Sequence, residues 1–376
     1  MVWLCLALSL ALLAFGALTF VRIQSMALFF VSVGATEFGH MFAPVALVLA
    51  VLTPKDSPVG IATSAIAALA AVFLVSPLAR AFACVSRLRR TFAHGLGVEP
   101  RRRVFHFARL FLPETSHRPF CEKIVIEGAG GPLQIDFFRA ESSRPAPLIL
   151  IVHGGGWMAG SVDELGGWNA WLARSGFAVA SVDYRLVPTG PWPSQREDVL
   201  AAVAHLRANA ASLGLDPMRI VLFGRSAGGQ IASAVAAGGF DGLCGCVCLY
   251  APFDLEFAYR HSSNDDILRS RWLLRCFLGG TPEEVPEAYR DASAYLTARK
   301  GMPPFLFFHG SRDDLVWVAQ SERFSQRLGE LEVSHAFLRL PWATHAFDYN
   351  MSGPGGQVVA EFLGAFLRKV CGSEQA

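Results

Sequence analysis

Ser226 stands between two glycines in "VLFGRSAGGQIASA" (221–234), where an apolar run gives way to an alanine-rich one. At the junction of a strand and a helix, a serine in a G-x-S-x-G pattern can serve as a nucleophile. A strained turn lifts its hydroxyl above the sheet, and side chains two residues to either side would collide there. Gly224 and Gly228 remove those side chains. The following helix would aim its N-terminal amides and positive dipole end at the same point, favouring the charge that develops in acyl transfer and making the Ala227 amide an oxyanion donor. Taken alone the pattern has a plainer reading, because a serine before a helix also caps amides, for about 1 kcal/mol, with no chemistry.

A second segment favours the chemical reading. In "PLILIVHGGGWMAGS" (147–161) a fully apolar strand runs into His153, three glycines and Trp157. Consecutive glycines let backbone amides turn toward a ligand. An oxyanion hole needs donors from separate segments, each worth about 3 kcal/mol of barrier; Gly155 and Gly156 would complement Ala227. The same stretch imitates a dinucleotide fingerprint, with Gly154, Gly156 and Gly160 after a strand and Asp183 ending the next one. An NAD(P)-dependent oxidoreductase fails on placement, since at least two strands precede this one, and none of the six tyrosines has lysine four residues on.

The serine needs an imidazole to take its proton and a carboxylate to orient the imidazole, in the chain order Ser, acid, His on this kind of sheet. His335 and His345 follow Ser226 and every strand-end acid. His335 begins the strand "SHAFLRLP", whereas His345 lies just past it in "PWATHAFD", at the C-terminal edge where catalytic groups gather. The candidate acids are Asp254, after "CVCLYAPF", and the pair Asp313 and Asp314 in "PFLFFHGSRDDLVW". The pattern G-x-x-D-x-x-V selects Asp313, leaving Asp314 as an exposed cap for a helix beginning near Val318. His309 reads as a structural loop histidine.

Together "HGGGW", "DYRLVP" (183–188), "GRSAGG" (224–229), "HGSRDDLV" (309–316) and "THAFD" (344–348) resemble the α/β-hydrolase superfamily, in its acetyl esterase and hormone-sensitive-lipase-like carboxylesterase branch. The likeness runs from about residue 120 to the end. It implies Ser226, Asp313 and His345 as a triad, Gly155, Gly156 and Ala227 as oxyanion donors, and structural roles for Asp183 and Arg185. It implies a serine hydrolase that forms an acyl-enzyme on a small or lipophilic ester, with no cofactor and no metal. Prenylcysteine methylesterases have a similar oxyanion motif, which makes such an activity, or a deacetylase, the nearest alternative. An acyltransferase or a catalytically idle scaffold is the alternative of another class. Arg225 departs from the branch, whose members often carry an acidic residue before the serine.

The elements that must position these residues follow from periodicity. Strands are expected at about 122–127, 133–138, 147–152, 177–183, 219–223, 245–250, 304–309 and 335–340, with helices between most of them, which predicts an eight-stranded, mostly parallel α/β sheet. Residues 119–376 would form this domain, with a cap insertion at about 252–290. Phe253, Phe257, Trp272 and Phe277 of the cap could line an acyl pocket or pack its helices. Cys244, Cys246 and Cys248 alternate along one strand and should point to one face as buried apolar packing. Eight cysteines in 376 residues make no disulfide framework, and free thiols favour a reducing compartment.

The N-terminal third is of another kind. The mean hydropathy is positive, and three uncharged or nearly uncharged stretches, about 2–21, 26–52 and 59–79, are long enough to cross a bilayer as an all-α bundle ending near residue 80. Small residues recur every four positions in the second (Ala35, Gly39, Ala43) and third (Gly60, Ser64, Ala68), which lets helices approach closely. Glu37 and His40 in the middle of the second span are costly unless paired, so a hydrogen-bonded Glu–His pair is expected, with a proton path as the alternative. An arginine-rich juxtamembrane linker, 81–118, would follow. Arg80, Arg87, Arg89, Arg90, Arg101, Arg102, Arg103 and Arg109 outweigh Lys55, which places the C-terminal domain in the cytoplasm of a multi-pass membrane protein. A net charge of +2 gives no support to a nucleic-acid partner. No feature of the sequence sets the oligomeric state.

Overall fold

In the computed structural model the described residues are 1–101, 103–111, 120–142 and 144–372. Arg102 and the boundary expected near residue 119 lie outside them. All eight expected strands form: β1 (Glu122–Gly128), β2 (Gly131–Phe138), β3 (Ala146–Val152), β4 (Ala178–Val182), β5 (Leu215–Arg225), β6 (Leu243–Leu249), β7 (Phe305–Gly310) and β8 (His335–Leu340). They make one sheet in the order β1-β2-β4-β3-β5-β6-β7-β8. β2 runs antiparallel to β1 and β4, and β3 to β8 are mutually parallel.

The all-apolar β3 is buried along its whole length because helices cover both faces of a parallel sheet. Leu148, Leu150 and Val152 enter one core, where they meet Val199, Ile231 and Phe324 from helices Ser194–Ala208, Ala227–Gly238 and Ala319–Glu330. Ile149 and Ile151 enter the other, with Trp168, Phe362 and Phe366 from helices Gly166–Arg174 and Pro354–Cys371. The chain crosses from one side of β3 to the other between β4 and β5. That reversal opens a crevice at the C-terminal edge of the sheet.

The cysteine row departs from strict alternation. Cys246 and Cys248 are buried in the first core, but Cys244 packs toward the second, its Sγ 3.9 Å from that of Cys371. The reason is a register shift: Ile220 pairs with Leu243 and Val221 with Gly245, so Cys244 is an extra residue that turns the strand over.

Before the sheet come helices α1 (Val2–Ala17), α2 (Met26–Leu52) and α3 (Pro58–Leu96). Of these, α2 and α3 are long and apolar enough to cross a membrane. The expected first span stops early, at 16 residues. After Ala17 the chain turns against the sheet domain, where Arg312 Nη2 donates to Val21 O (2.7 Å) and the Ile23 N–H to Asp314 Oδ2 (2.9 Å). The third expected span instead continues well past residue 79, so the segment expected as a linker is helical up to Leu96. Charge does not stop a helix that has an apolar stripe to bury. Ala81, Cys84, Leu88, Phe92 and Leu96 follow helical spacing and lie in the second core, while Arg87 and Arg90 are exposed. Gly97, at φ 69°, ends the helix.

Ala35, Gly39 and Ala43 are buried as expected of a helix-packing row, and a Cβ on Gly39 would lie 2.9 Å from Leu74 O of α3. On α3 Gly60 and Ser64 of the expected row are buried, together with Thr63, Ala67, Ala70 and Leu74, while Ala68 is exposed. Glu37 and His40 do not pair with each other. His40 Nε2 meets Leu110 O (2.8 Å), and Glu37 Oε2 accepts the Gly355 N–H (2.9 Å). Each side chain has one partner away from the other, Glu37 on the last helix of the sheet domain and His40 on the segment that precedes the sheet.

Candidate active site

Ser226 occupies the sharp junction between β5 and the helix Ala227–Gly238, at φ 51° and ψ −120°. This is a strained conformation for a residue with a Cβ. Its neighbours allow it: a Cβ on Gly224 would lie 2.2 Å from Gly228 O, and one on Gly228 would lie 2.2 Å from both Val152 O and His153 O. The turn is tied down by the Ser226 N–H, which donates to Leu249 O (2.9 Å). As the first helical residue, Ala227 carries an amide with no acceptor inside the helix.

His345, in the loop after β8, bridges two of the expected partners. Its Nε2 lies 2.9 Å from Ser226 Oγ and its Nδ1 2.6 Å from Asp313 Oδ2. An ionised carboxylate only accepts hydrogen bonds, so Nδ1 bears the proton and Nε2 is free to accept from the serine hydroxyl. The other Asp313 oxygen receives the N–H groups of Leu315 (2.9 Å) and Val316 (2.8 Å). Burial would raise the Asp313 pKa, but His345 and His309 beside it outweigh that and hold the carboxyl well below its ordinary range. His309 is buried on β7, bonded to Ser321 Oγ (2.7 Å) and Val316 O (2.8 Å), with Asp313 Oδ2 at 3.2 Å.

The remaining candidates lie elsewhere. His335, at the opposite end of β8, meets Ser325 Oγ (2.9 Å). Asp254 caps the helix Leu255–His261 through the Phe257 N–H (3.0 Å) and pairs with Arg323 (2.8 Å). Asp314 is not the expected cap of the helix Ala319–Glu330, since its carboxylate is turned to Ile23. Arg185 is joined to Asp198 (2.9 Å) and Asp183 approaches His153 at 3.7 Å.

The glycine loop faces Ser226 from the end of β3. Gly155 and Gly156 have φ of 105° and 59°, in the region that favours glycine. A Cβ on Gly155 would also strike Ala159 O at 2.0 Å. Tyr184 fixes the start of the loop, its hydroxyl donating to His153 O and Gly154 O at 3.1 Å each. Trp157 fixes its far side: the indole N–H donates to Gln230 Oε1 (2.9 Å) and the ring stacks on Phe277 at 4.2 Å.

Four supporting residues are given no role by the sequence: Tyr184 and Asp348, which lie within the motifs "DYRLVP" and "THAFD", and Gln230 and Tyr250. Asp348 accepts from Arg225 Nε (2.5 Å) and the Tyr250 hydroxyl (2.6 Å) and is fully buried. The cation before the nucleophile is thereby matched by an anion three residues after His345. No spacing rule predicts a partner 123 residues away.

A cavity of about 260 Å³ opens beside the site, lined by Trp157, Phe257, Leu273, Leu274, Val316 and Trp317 among others. Of the four cap aromatics only Phe257 lines it. Phe253 and Phe277 are fully buried in the core, and Trp272 is exposed under the Arg269 guanidinium.

The chain is similar to known proteins over most of the sheet domain. The family model BD-FAE matches residues 135–328, from β2 to the helix after β7. Esterase LipC of Mycobacterium tuberculosis is 32% identical over 270 residues, 66% of this chain and 66% of its own length. Esterase LipQ of the same organism is 28% identical over 71% of this chain and 66% of its own length. The chain thus spans slightly under two thirds of each. "Probable isoprenylcysteine alpha-carbonyl methylesterase ICMEL1" of Arabidopsis thaliana is 25% identical over 68% of the chain and 57% of its own length. Among solved structures, the hyperthermophilic esterase from Pyrobaculum calidifontis superposes with a TM-score of 0.60 at 25% identity, covering 78% of this chain and 97% of that one. Bacterial Heroin Esterase gives 0.61 at 23% identity, covering 78% and 97%. With a family model matched over more than half of the chain, and a superposition that takes in nearly the whole of these structures, the chain belongs to the BD-FAE family and has the α/β-hydrolase fold.

Proposed function

We propose that the chain is a membrane-anchored serine carboxylic-ester hydrolase. The observation that carries this reading is His345, within hydrogen-bond reach of Ser226 on one side and Asp313 on the other, at the C-terminal edge of the sheet. In the mechanism Ser226 Oγ attacks the ester carbonyl while His345 Nε2 takes its proton. Asp313 holds the imidazole in the tautomer that can do so and stabilises the imidazolium. The amides of Gly155, Gly156 and Ala227 receive the oxyanion. The imidazolium then protonates the leaving alcohol, and water, deprotonated by the same imidazole, releases the acyl group. Similarity to the esterases LipC and LipQ supports an ester as substrate.

The bilayer contact in this reading is made by α1, the distal half of α2 and the first half of α3, which expose Leu4, Leu8, Val45, Val48, Ile61 and Val72. The turn after α1 lies beside the middle of α3, with Phe20 against Phe73 (4.8 Å) and under Arg80 (5.0 Å). Arg22 and the α3 arginines therefore lie toward the sheet domain, and the positive-inside bias puts that domain in the cytoplasm. A prenylcysteine methyl ester is the second reading. The relative of that name and the apolar cavity favour it.

Fluorophosphonate labelling of the purified protein, compared with Ser226→Ala and followed by a panel of p-nitrophenyl esters, tests the reading. Label that persists in Ser226→Ala overturns it. Cleavage of the sheet domain by protease added outside sealed, cytoplasm-inside vesicles overturns the orientation.

A further inference from the structure

α2 does more than reach toward a bilayer. Phe29, Val33 and Glu37 recur every fourth residue and share one face of the helix. That face lies on the loop that carries His345. The Phe29 ring is 6.4 Å from the imidazole, centroid to centroid. Phe29 and Val33 join Ile23, Leu315 and Ala346 in one apolar cluster. Ala346, next to His345, has φ 58°, a strained value for alanine that its surroundings must impose.

One turn further along α2, Glu37 is fully buried and makes two contacts with the same loop. Its Oε2 accepts the Gly355 N–H (2.9 Å) and its main-chain O accepts from Asn350 Nδ2 (3.1 Å). Gly355 is the second residue of the helix Pro354–Cys371, so the carboxyl group sits at a helix N-terminus, where amides have no acceptor within the helix. The space is fitted to that carboxylate: a Cβ on Gly353 would lie 2.8 Å from Glu37 Oε2, and one on Gly355 3.1 Å. The loop from His345 to the last helix is thus held at Asp348 by Arg225 and Tyr250, and at Asn350 and Gly355 by Glu37.

We infer that α2 is a positioning element of the active site and that Glu37 holds His345 in register with Ser226. The inference rests on the reading of Ser226 and His345 as the catalytic pair. It explains why a helix apolar enough to cross a membrane keeps a buried carboxyl group: its oxygen serves the neighbouring loop, not a path through the bilayer. The membrane helices and the hydrolase sheet then form one catalytic unit, and a disturbance of α2 acts on turnover without touching the substrate.

The test uses the full chain in detergent micelles, with active sites counted by fluorophosphonate and turnover expressed per labelled site. Glu37→Leu removes both carboxylate oxygens. It should lower kcat per labelled site about tenfold to a hundredfold, the cost of a ~1 Å misplacement, with KM changed by no more than about twofold. Glu37→Gln keeps an acceptor for the Gly355 N–H and should retain most of the parental kcat. Asn350→Ala cuts the second contact from the loop side and should move kcat in the same direction. Loss of labelled sites or of melting temperature in Glu37→Leu, with unchanged kcat per site, overturns the inference and leaves Glu37 a residue of the fold alone. Glu37→Gln as slow as Glu37→Leu overturns it too. Should Glu37→Leu fail to fold, an Asn350→Ala enzyme with parental kcat overturns it, and a slowed one with parental KM supports it. Label persisting in Ser226→Ala instead removes the reading beneath the inference, and is seen without any Glu37 variant.

Discussion

Replacing Arg225 by methionine should unfold this protein at a markedly lower temperature, although the residue is not expected to touch substrate. Arg225 and Asp348 are 5% and 0% exposed at the side chain and lie 2.5 Å apart. The guanidinium also covers the Phe223 ring at 4.5 Å, packing that a methionine can largely replace. What methionine cannot replace is the charge. Asp348 would keep the Tyr250 hydroxyl and lose its ion-pair partner, and stranding one member of a buried pair costs about 3–5 kcal/mol. At roughly 2–4 °C per kcal/mol for a domain of this size, the melting temperature should fall by about 6–20 °C. The double variant Arg225→Met/Asp348→Leu removes both charges and should regain most of that loss, since a well-packed apolar pair is about as stable as the ion pair it replaces. The assay is thermal unfolding of the four forms at one scan rate and pH. If Arg225→Met melts within about 3 °C of the parent, corresponding to roughly 1 kcal/mol, or if the double variant melts below both single variants, the account of this pair is wrong.

The remaining predictions concern the acid and the cavity. Asp313→Asn should lower kcat by about 10⁴ with little change in KM, because an amide in that place no longer selects the Nδ1–H tautomer; steady-state kinetics on a soluble ester checks this. The folded-state pKa of Asp313 is depressed, so its stabilising contribution is complete above the unfolded-state pKa of about 4 and is lost as pH falls through the folded value. The gap in melting temperature between parent and Asp313→Asn should therefore stay constant from about pH 8 to pH 5 and narrow below about pH 4. Ala258→Trp, which fills part of the 260 Å³ cavity, should lower kcat/KM for an octanoate ester relative to acetate by at least about tenfold. An unchanged ratio across the ester panel would mean that the cavity does not receive the longer chain.

Local chemistry was legible in the sequence wherever a short segment carries its own constraint. The elbow needs small neighbours within two residues, so Gly224 and Gly228 announce Ser226; the glycine loop needs positive φ, so Gly155 and Gly156 announce themselves. A buried parallel strand is a run of apolar residues and a half-buried edge strand alternates, so all eight strands could be read to within a few residues. A candidate acid and histidine could be named because sheet topology orders such groups along the chain.

The rest belongs to the tertiary structure. Where α3 ends was decided by the β8 side of the sheet, which offers burial to Leu88 and Phe92, and arginines on the opposite face do not register that. The direction of Cys244 was decided by one extra residue in a strand pair, which is a property of the pairing and not of either strand. The partners of Arg225, Glu37 and Asp314 lie 123, 318 and 291 residues away. A charge in a sequence states that a partner is needed, because leaving it buried alone is costly. Which residue answers depends on which surfaces the folded chain brings within about 3 Å, and that distance exists only after folding.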